Sequence, residues 1–81
     1  MSARATRPFV VFGFPSTHEA LRGEEALRAA SVGVVPVPTP HALGAHCGIA
    51  MRVPRDDDTA ARTALDLAGV PWSGPLAWED V

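Results

Sequence analysis

The chain has one cysteine, no lysine and no long apolar run. A single cysteine excludes an internal disulfide and points to a reducing compartment or an intermolecular role. The cations are seven arginines against nine acids, a net charge of −2, so nothing electrostatic recommends nucleic acid or an anionic membrane surface as a partner. The arginine-only set, beside abundant Ala, Gly, Pro and Val, reads as the coding bias of a GC-rich genome. The apolar run from Pro8 to Phe14 is far too short to cross a bilayer, and the polar, basic start is not followed by an apolar stretch of signal-peptide length. No solenoid-type repeat, low-complexity segment, cofactor motif or paired acid and base is visible. The expectation is a soluble bacterial protein of the cytoplasm that uses no cofactor and touches neither nucleic acid nor membrane.

What is present is enough for one small domain of 81 residues, 47% of them apolar and 20% charged, as in ordinary globular proteins. Residues 1–7 read as a disordered leader and residues 8–81 as a single domain. A chain of this size buries only roughly 60–65% of its unfolded surface, which makes a homodimer a natural supplement to stability.

Phe9-Val10-Val11-Phe12, ending at Gly13, reads as a strand. Both of its faces are apolar, which suggests a sheet covered on both sides. Phe14-Pro15-Ser16-Thr17 turns into a helix over residues 18–30. Ser16 is the N-cap candidate, and Glu19 three residues on completes a capping box. Leu21, Leu27 and several alanines form the apolar stripe, and Gly33 is the expected stop. Residues 34–37 form a second strand, whose Pro36 argues for a sheet edge. Residues 48–53 form a third, with Ile49, Met51 and Val53 on one face and Ala50 and Arg52 on the other. One of Asp56, Asp57 and Asp58 caps a second helix over residues 60–68, and Gly69 ends it. A weak last strand lies around residues 75–78, an edge strand or tail because of its prolines and Gly74. Trp72 and Trp78 read as edge-strand packing or a dimer contact.

The order strand, helix, strand, strand, helix, strand is that of an α+β, ferredoxin-like βαββαβ fold, an antiparallel sheet with two helices on one face. The first and third strands are then central, and the prolines fall on the two edges. This topology returns the loop over residues 38–48 to the end of the sheet where the first helix begins. The loop holds His41, His46 and Cys47, so Cys47 is expected beside residues 14–18. Backbone N–H groups and the positive dipole end of a helix favour a thiolate. The candidate site is therefore Cys47 as the reactive thiol, with Pro15, Ser16, Thr17, His18, His41 and Gly48 around it. Gly48 leaves the backbone open to a partner, and Gly44 allows positive φ in the loop.

Plainer readings exist for each. Cys47 could be a small buried apolar residue at a strand start. Capping explains Ser16 and Thr17. His18, His41 and His46 with Cys47 could bind zinc or copper, although adjacent residues of a strand-like backbone point apart; no metal ligand is assigned.

The stretch Phe14-Pro15-Ser16-Thr17-His18, Ala20 and Glu24 on the helix, Pro38 and Pro40 in the loop, and Cys47-Gly48 together resemble the Putative Se/S carrier protein-like family of small prokaryotic domains. The resemblance spans about residues 9–78. It implies that residues 8–81 handle sulfur or selenium through Cys47, as a carrier and not a stand-alone enzyme, between donor and acceptor proteins. The chain departs from the family pattern where His41 replaces a basic residue and where Gly44 and Ala45 replace serines. The alternatives are a non-catalytic ligand-binding or regulatory module that dimerises, and a His/Cys metal-binding protein.

Overall fold

The computed structural model describes residues 8–44 and 47–79. The leader over residues 1–7 and the positions Ala45 and His46 lie outside them. The described elements run β1 (Pro8–Gly13), α1 (Thr17–Ala29), β2 (Val35–Pro38), β3 (Ile49–Pro54), α2 (Asp58–Leu67) and β4 (Ser73–Glu79), with short 3-10 turns at His41–Leu43 and Arg55–Asp57. The fold is α+β, with one antiparallel sheet ordered β2-β3-β1-β4. The central positions of β1 and β3 and the edge positions of the proline-bearing β2 and β4 are as the sequence leads one to expect. A proline lacks the N–H that a central strand needs on both sides. Among the described residues, no helix is long and apolar enough to cross a membrane.

The register sorts the side chains. Val10 lies opposite Val53 and Phe12 opposite Met51. Those four share one buried cluster with Ala20 and Leu27 of α1 and Ala61 and Leu65 of α2, so both helices cover the same face. On the other face Val11 pairs with Arg52 and Leu76, and Phe9 with Trp78. No described element covers this face, which corrects the expectation of a two-sided cover. Val11 is nevertheless fully buried, since its cross-strand neighbours are long side chains, and the Arg52 guanidinium lies over the Phe9 ring at 4.1 Å in a cation–π contact.

Ser16 caps α1 as its sequence position implies, accepting the Glu19 N–H at Oγ (3.2 Å). The reciprocal half of the capping box is not in evidence: Glu19 Oε1 takes the Arg22 guanidinium at 2.6 Å. The helix ends at Ala29, before Gly33, and Ser31 supplies the left-handed residue at φ 64°. Its N–H donates to the Arg28 carbonyl, and the Val32 N–H to that of Leu27. The end of α2 repeats this pattern, with Gly69 at φ 70° donating to Asp66 and Val70 to Leu65. Both are Schellman ends, in which an apolar residue past the helix packs back on its last turns. Thus Leu27 with Val32, and Leu65 with Val70, are all core residues. At the other end of α2, Asp57 occupies the cap position but makes no side-chain cap bond, and Asp58 binds Arg62 instead.

Leu21, placed in the apolar stripe from sequence, is 54% exposed. Gly23 takes its place on the buried face. A Cβ built on Gly23 would stand 2.6 Å from Phe14 Cε1, so the glycine is where Phe14 lies against the helix. Glycine within a helix ordinarily costs about 0.5–1 kcal/mol relative to alanine, and an exposed example gains from replacement. Here Gly23→Ala is expected to lose about 1–3 kcal/mol through overpacking, read from the midpoint of a denaturant titration. Unchanged or increased stability would show that Phe14 does not hold this position.

Candidate functional site

Cys47 continues the alternation of Ile49, Met51 and Val53, a period of two that keeps these residues on the helix-covered face. It belongs to the same buried cluster and is 5% exposed. Its Sγ lies 3.8 Å from Thr17 Oγ1, across thirty positions of sequence. Thr17 is the first residue of α1, so the sulfur stands at the N-terminal turn of that helix, as the topology requires. The Ile49 N–H points to Sγ at 3.4 Å, and the Ile49 carbonyl accepts from the thiol at 3.3 Å. A protonated thiol uses the carbonyl. A sulfur anion has the Ile49 N–H and the Thr17 hydroxyl as donors.

The loop that returns to Cys47 is closed at its base by the Thr39 N–H, which donates to the Gly48 carbonyl at 3.3 Å. Within it the 3-10 turn ends at Gly44 with φ 63°, the left-handed position anticipated for that glycine. Gly48 itself has no positive φ, and a Cβ built on it meets nothing; its backbone is exposed.

Of the candidate residues, the fold brings Thr17 directly to Cys47. Pro15 is exposed and lines a neighbouring cleft with Leu43 and Gly44. The Ser16 hydroxyl is engaged in capping. His18 is exposed beside Leu21 and Arg22 on α1, and His41 is exposed at the start of the 3-10 turn. His46 lies outside the described residues. Among the described residues, no group of three or more His, Cys, Asp or Glu is placed to hold a metal ion.

A cleft lies beside the site at the same end of the sheet. It is walled by Gly13, Phe14 and Pro15 after β1, by Thr39, Leu43 and Gly44 of the loop, and by Pro71, Trp72 and Ser73 before β4. Trp72, which the sequence suggests for edge-strand packing or a dimer contact, meets Phe12 with its ring edge at 5.2 Å and 80°. The available signal was an aromatic residue between a proline and a turn, close to the same sheet end.

Burial makes a prediction about reactivity. Alkylation of Cys47 by iodoacetamide is expected to run about tenfold or more slower in the folded protein than in guanidinium. Equal rates, followed by mass spectrometry, would contradict the packed position of the sulfur.

Residues 9–75 match the Putative Se/S carrier protein-like family. No curated protein and no solved structure matches the chain. The matched span runs from the first strand into the last and includes both the α1 turn and Cys47, and the chain therefore belongs to the Putative Se/S carrier protein-like family.

Proposed function

We propose that this protein carries sulfur or selenium on Cys47, in a ferredoxin-like βαββαβ scaffold, between a donor and an acceptor protein in the cytoplasm. The observation that carries the reading is the Cys47 sulfur at the first turn of α1, 3.8 Å from Thr17 Oγ1. Family membership supplies the chemistry. In loading, the Cys47 sulfur attacks the outer, sulfane sulfur of a donor persulfide. The donor's S–S bond breaks, its own sulfur leaves as a thiol, and one S–S bond forms on Cys47. One proton moves from the Cys47 thiol to the leaving donor sulfur, and no net oxidation occurs. The Thr17 hydroxyl and the Ile49 N–H hold the nucleophilic sulfur. With the thiol 5% exposed, loading requires the residues over it to move aside.

The test is incubation with a cysteine desulfurase and cysteine, followed by intact-mass and peptide analysis. A gain of one sulfur on Cys47 is expected, absent in Cys47→Ser. Thr17→Val should slow loading about two- to tenfold, the equivalent of one hydrogen bond of about 0.5–1.5 kcal/mol. No gain with active desulfurase would overturn the reading.

A second reading, a non-catalytic module that pairs with a copy of itself, is favoured by the uncovered sheet face. Phe9, Val37, Leu76 and Trp78 are half-buried there and Val35 is 42% exposed. The face carries the same apolar surface to a second copy that it offers from the first, as a two-fold contact requires. Under this reading light scattering gives a dimer mass for the wild type and a monomer mass for Val35→Glu, while Cys47→Ser still dimerises. A wild-type monomer at all concentrations would end it.

A further inference from the structure

The two edges of the sheet are chemically unequal, and the register shows how. The Thr39 N–H donates to the Gly48 carbonyl at 3.3 Å, one step beyond the pair Pro38 and Ile49. Hydrogen-bonded pairs alternate along an antiparallel ladder, so Val37 and Val35 also turn their backbone groups to β3, and Pro36 and Pro38 turn theirs outward. Proline has no N–H. Over Val35–Pro38 the outer edge of β2 therefore offers no donor, a common protection of a free edge. The same alternation carries across the sheet. Ala50 and Arg52 face β2, so Met51 and Val53 bond to Phe12 and Val10. Phe9 and Val11 then bond to Trp78 and Leu76. Ala77 and Glu79 are left with their backbone groups facing away from β1, as is the Pro75 carbonyl.

Among the described residues no strand pairs with the far side of β4. Its outer edge keeps the N–H groups of Ala77 and Glu79 and the carbonyls of Pro75 and Ala77, Ala77 is exposed, and no residue of Ser73–Glu79 before Glu79 is charged. Such an edge is recognised by an extended backbone, and the pattern of this strand matches itself. Place a two-fold axis at Ala77, antiparallel to a second copy. The two Ala77 residues then exchange reciprocal N–H to carbonyl bonds, and each Glu79 N–H meets the Pro75 carbonyl of the other copy. The donor that Pro75 lacks is missed only at the outer limit of the ladder. Leu76 falls opposite Trp78 of the other copy on the uncovered face, a favourable aliphatic–aromatic cross-strand pair. The two Glu79 residues lie at opposite ends of the ladder, so no like charges face each other.

We infer that β4 is the interaction edge of this protein: it pairs antiparallel with β4 of a second copy about Ala77, and the two sheets become one. The inference goes beyond the carrier reading and does not depend on it, because it uses neither Cys47 nor Thr17. It also differs from the face-to-face contact of the second reading, because backbone groups of β4 make it and Val35, on the opposite edge strand, takes no part.

The experiment combines sedimentation of the whole protein over a range of concentrations with amide hydrogen exchange. A monomer–dimer equilibrium is expected. The Ala77 and Glu79 amides should exchange more slowly as the dimer fills, whereas those of Leu76 and Trp78, bonded to β1, should not respond to concentration. Ala77→Pro removes the outward N–H and leaves the ladder with β1 untouched, so it should weaken the dimer about tenfold or more with the fold retained. Should Ala77→Pro fail to fold, Ala77→Lys decides: it sets two like charges opposite each other at the axis and should weaken the dimer in a way that added salt relieves. Val35→Glu should dimerise as the wild type does. A monomer at every concentration would overturn the inference and leave the edge to a strand of another protein. A dimer that survives both Ala77 variants, or is lost in Val35→Glu, would overturn it in favour of the face, as would Ala77 and Glu79 amides indifferent to concentration.

Discussion

The register of β1 against β3 is the constraint on which the rest of the molecule depends. With Val10 opposite Val53 and Phe12 opposite Met51, the two central strands offer one continuous apolar face to the helices. A slip of one residue would turn Val11 and Arg52 toward the helices and expose the present core. The same register carries Cys47, two residues before Ile49, to the covered side and toward the start of α1. The position of the thiol thus follows from the packing of strands that have no chemistry of their own.

Around that face the helices are seated by matching devices. Each ends with a valine returned onto a leucine five residues earlier, Val32 on Leu27 and Val70 on Leu65. At the start of α1, Phe14 packs on Gly23 and toward Leu65 of α2. Phe14 therefore joins the strand, the first helix and the second. Because Pro15, Ser16 and Thr17 follow it directly, this same contact sets the turn that meets Cys47 on one side and walls the cleft on the other. Arg62, whose pKa is raised chiefly by its hydrogen bond to Asp58, stays charged beside Trp72 on the far wall.

The thiol and the cleft have different physical characters. Cys47 is a packed sulfur with two donors and a carbonyl around it, an environment that serves a buried thiol and an anionic sulfur with different partners. The cleft is open, and among the described residues that line it, Phe14, Pro15, Leu43 and Trp72 among them, none is charged. They share a loop: Gly44 borders the cleft three residues before Cys47, and the Thr39 N–H is bonded to the carbonyl of Gly48.

Much of this was legible in the chain itself, because it rests on local rules. Alternation in β3, the Ser16 cap, the edge positions of Pro36 and Pro75 and the αβ order depend on neighbours two to four residues apart. So does the inference that Cys47 returns to the start of α1, once strand order is read from the prolines. The misplaced details all needed distant partners. Leu21 and Gly23 exchange roles only because Phe14 occupies the space above the glycine. Glu19 turns to Arg22, whose guanidinium also donates to the Ala68 carbonyl 46 residues away, and Ser31 rather than Gly33 ends α1 because Val32 must reach the core. The cleft was invisible for the same reason: Thr39, Leu43 and Trp72 come from segments about thirty residues apart, which only tertiary packing brings together. By itself the sequence determined the elements, their order and the end of the sheet at which the cysteine lies. The tertiary structure alone decided that this cysteine is buried and that a cavity stands beside it, since burial and empty volume are properties of how surfaces meet.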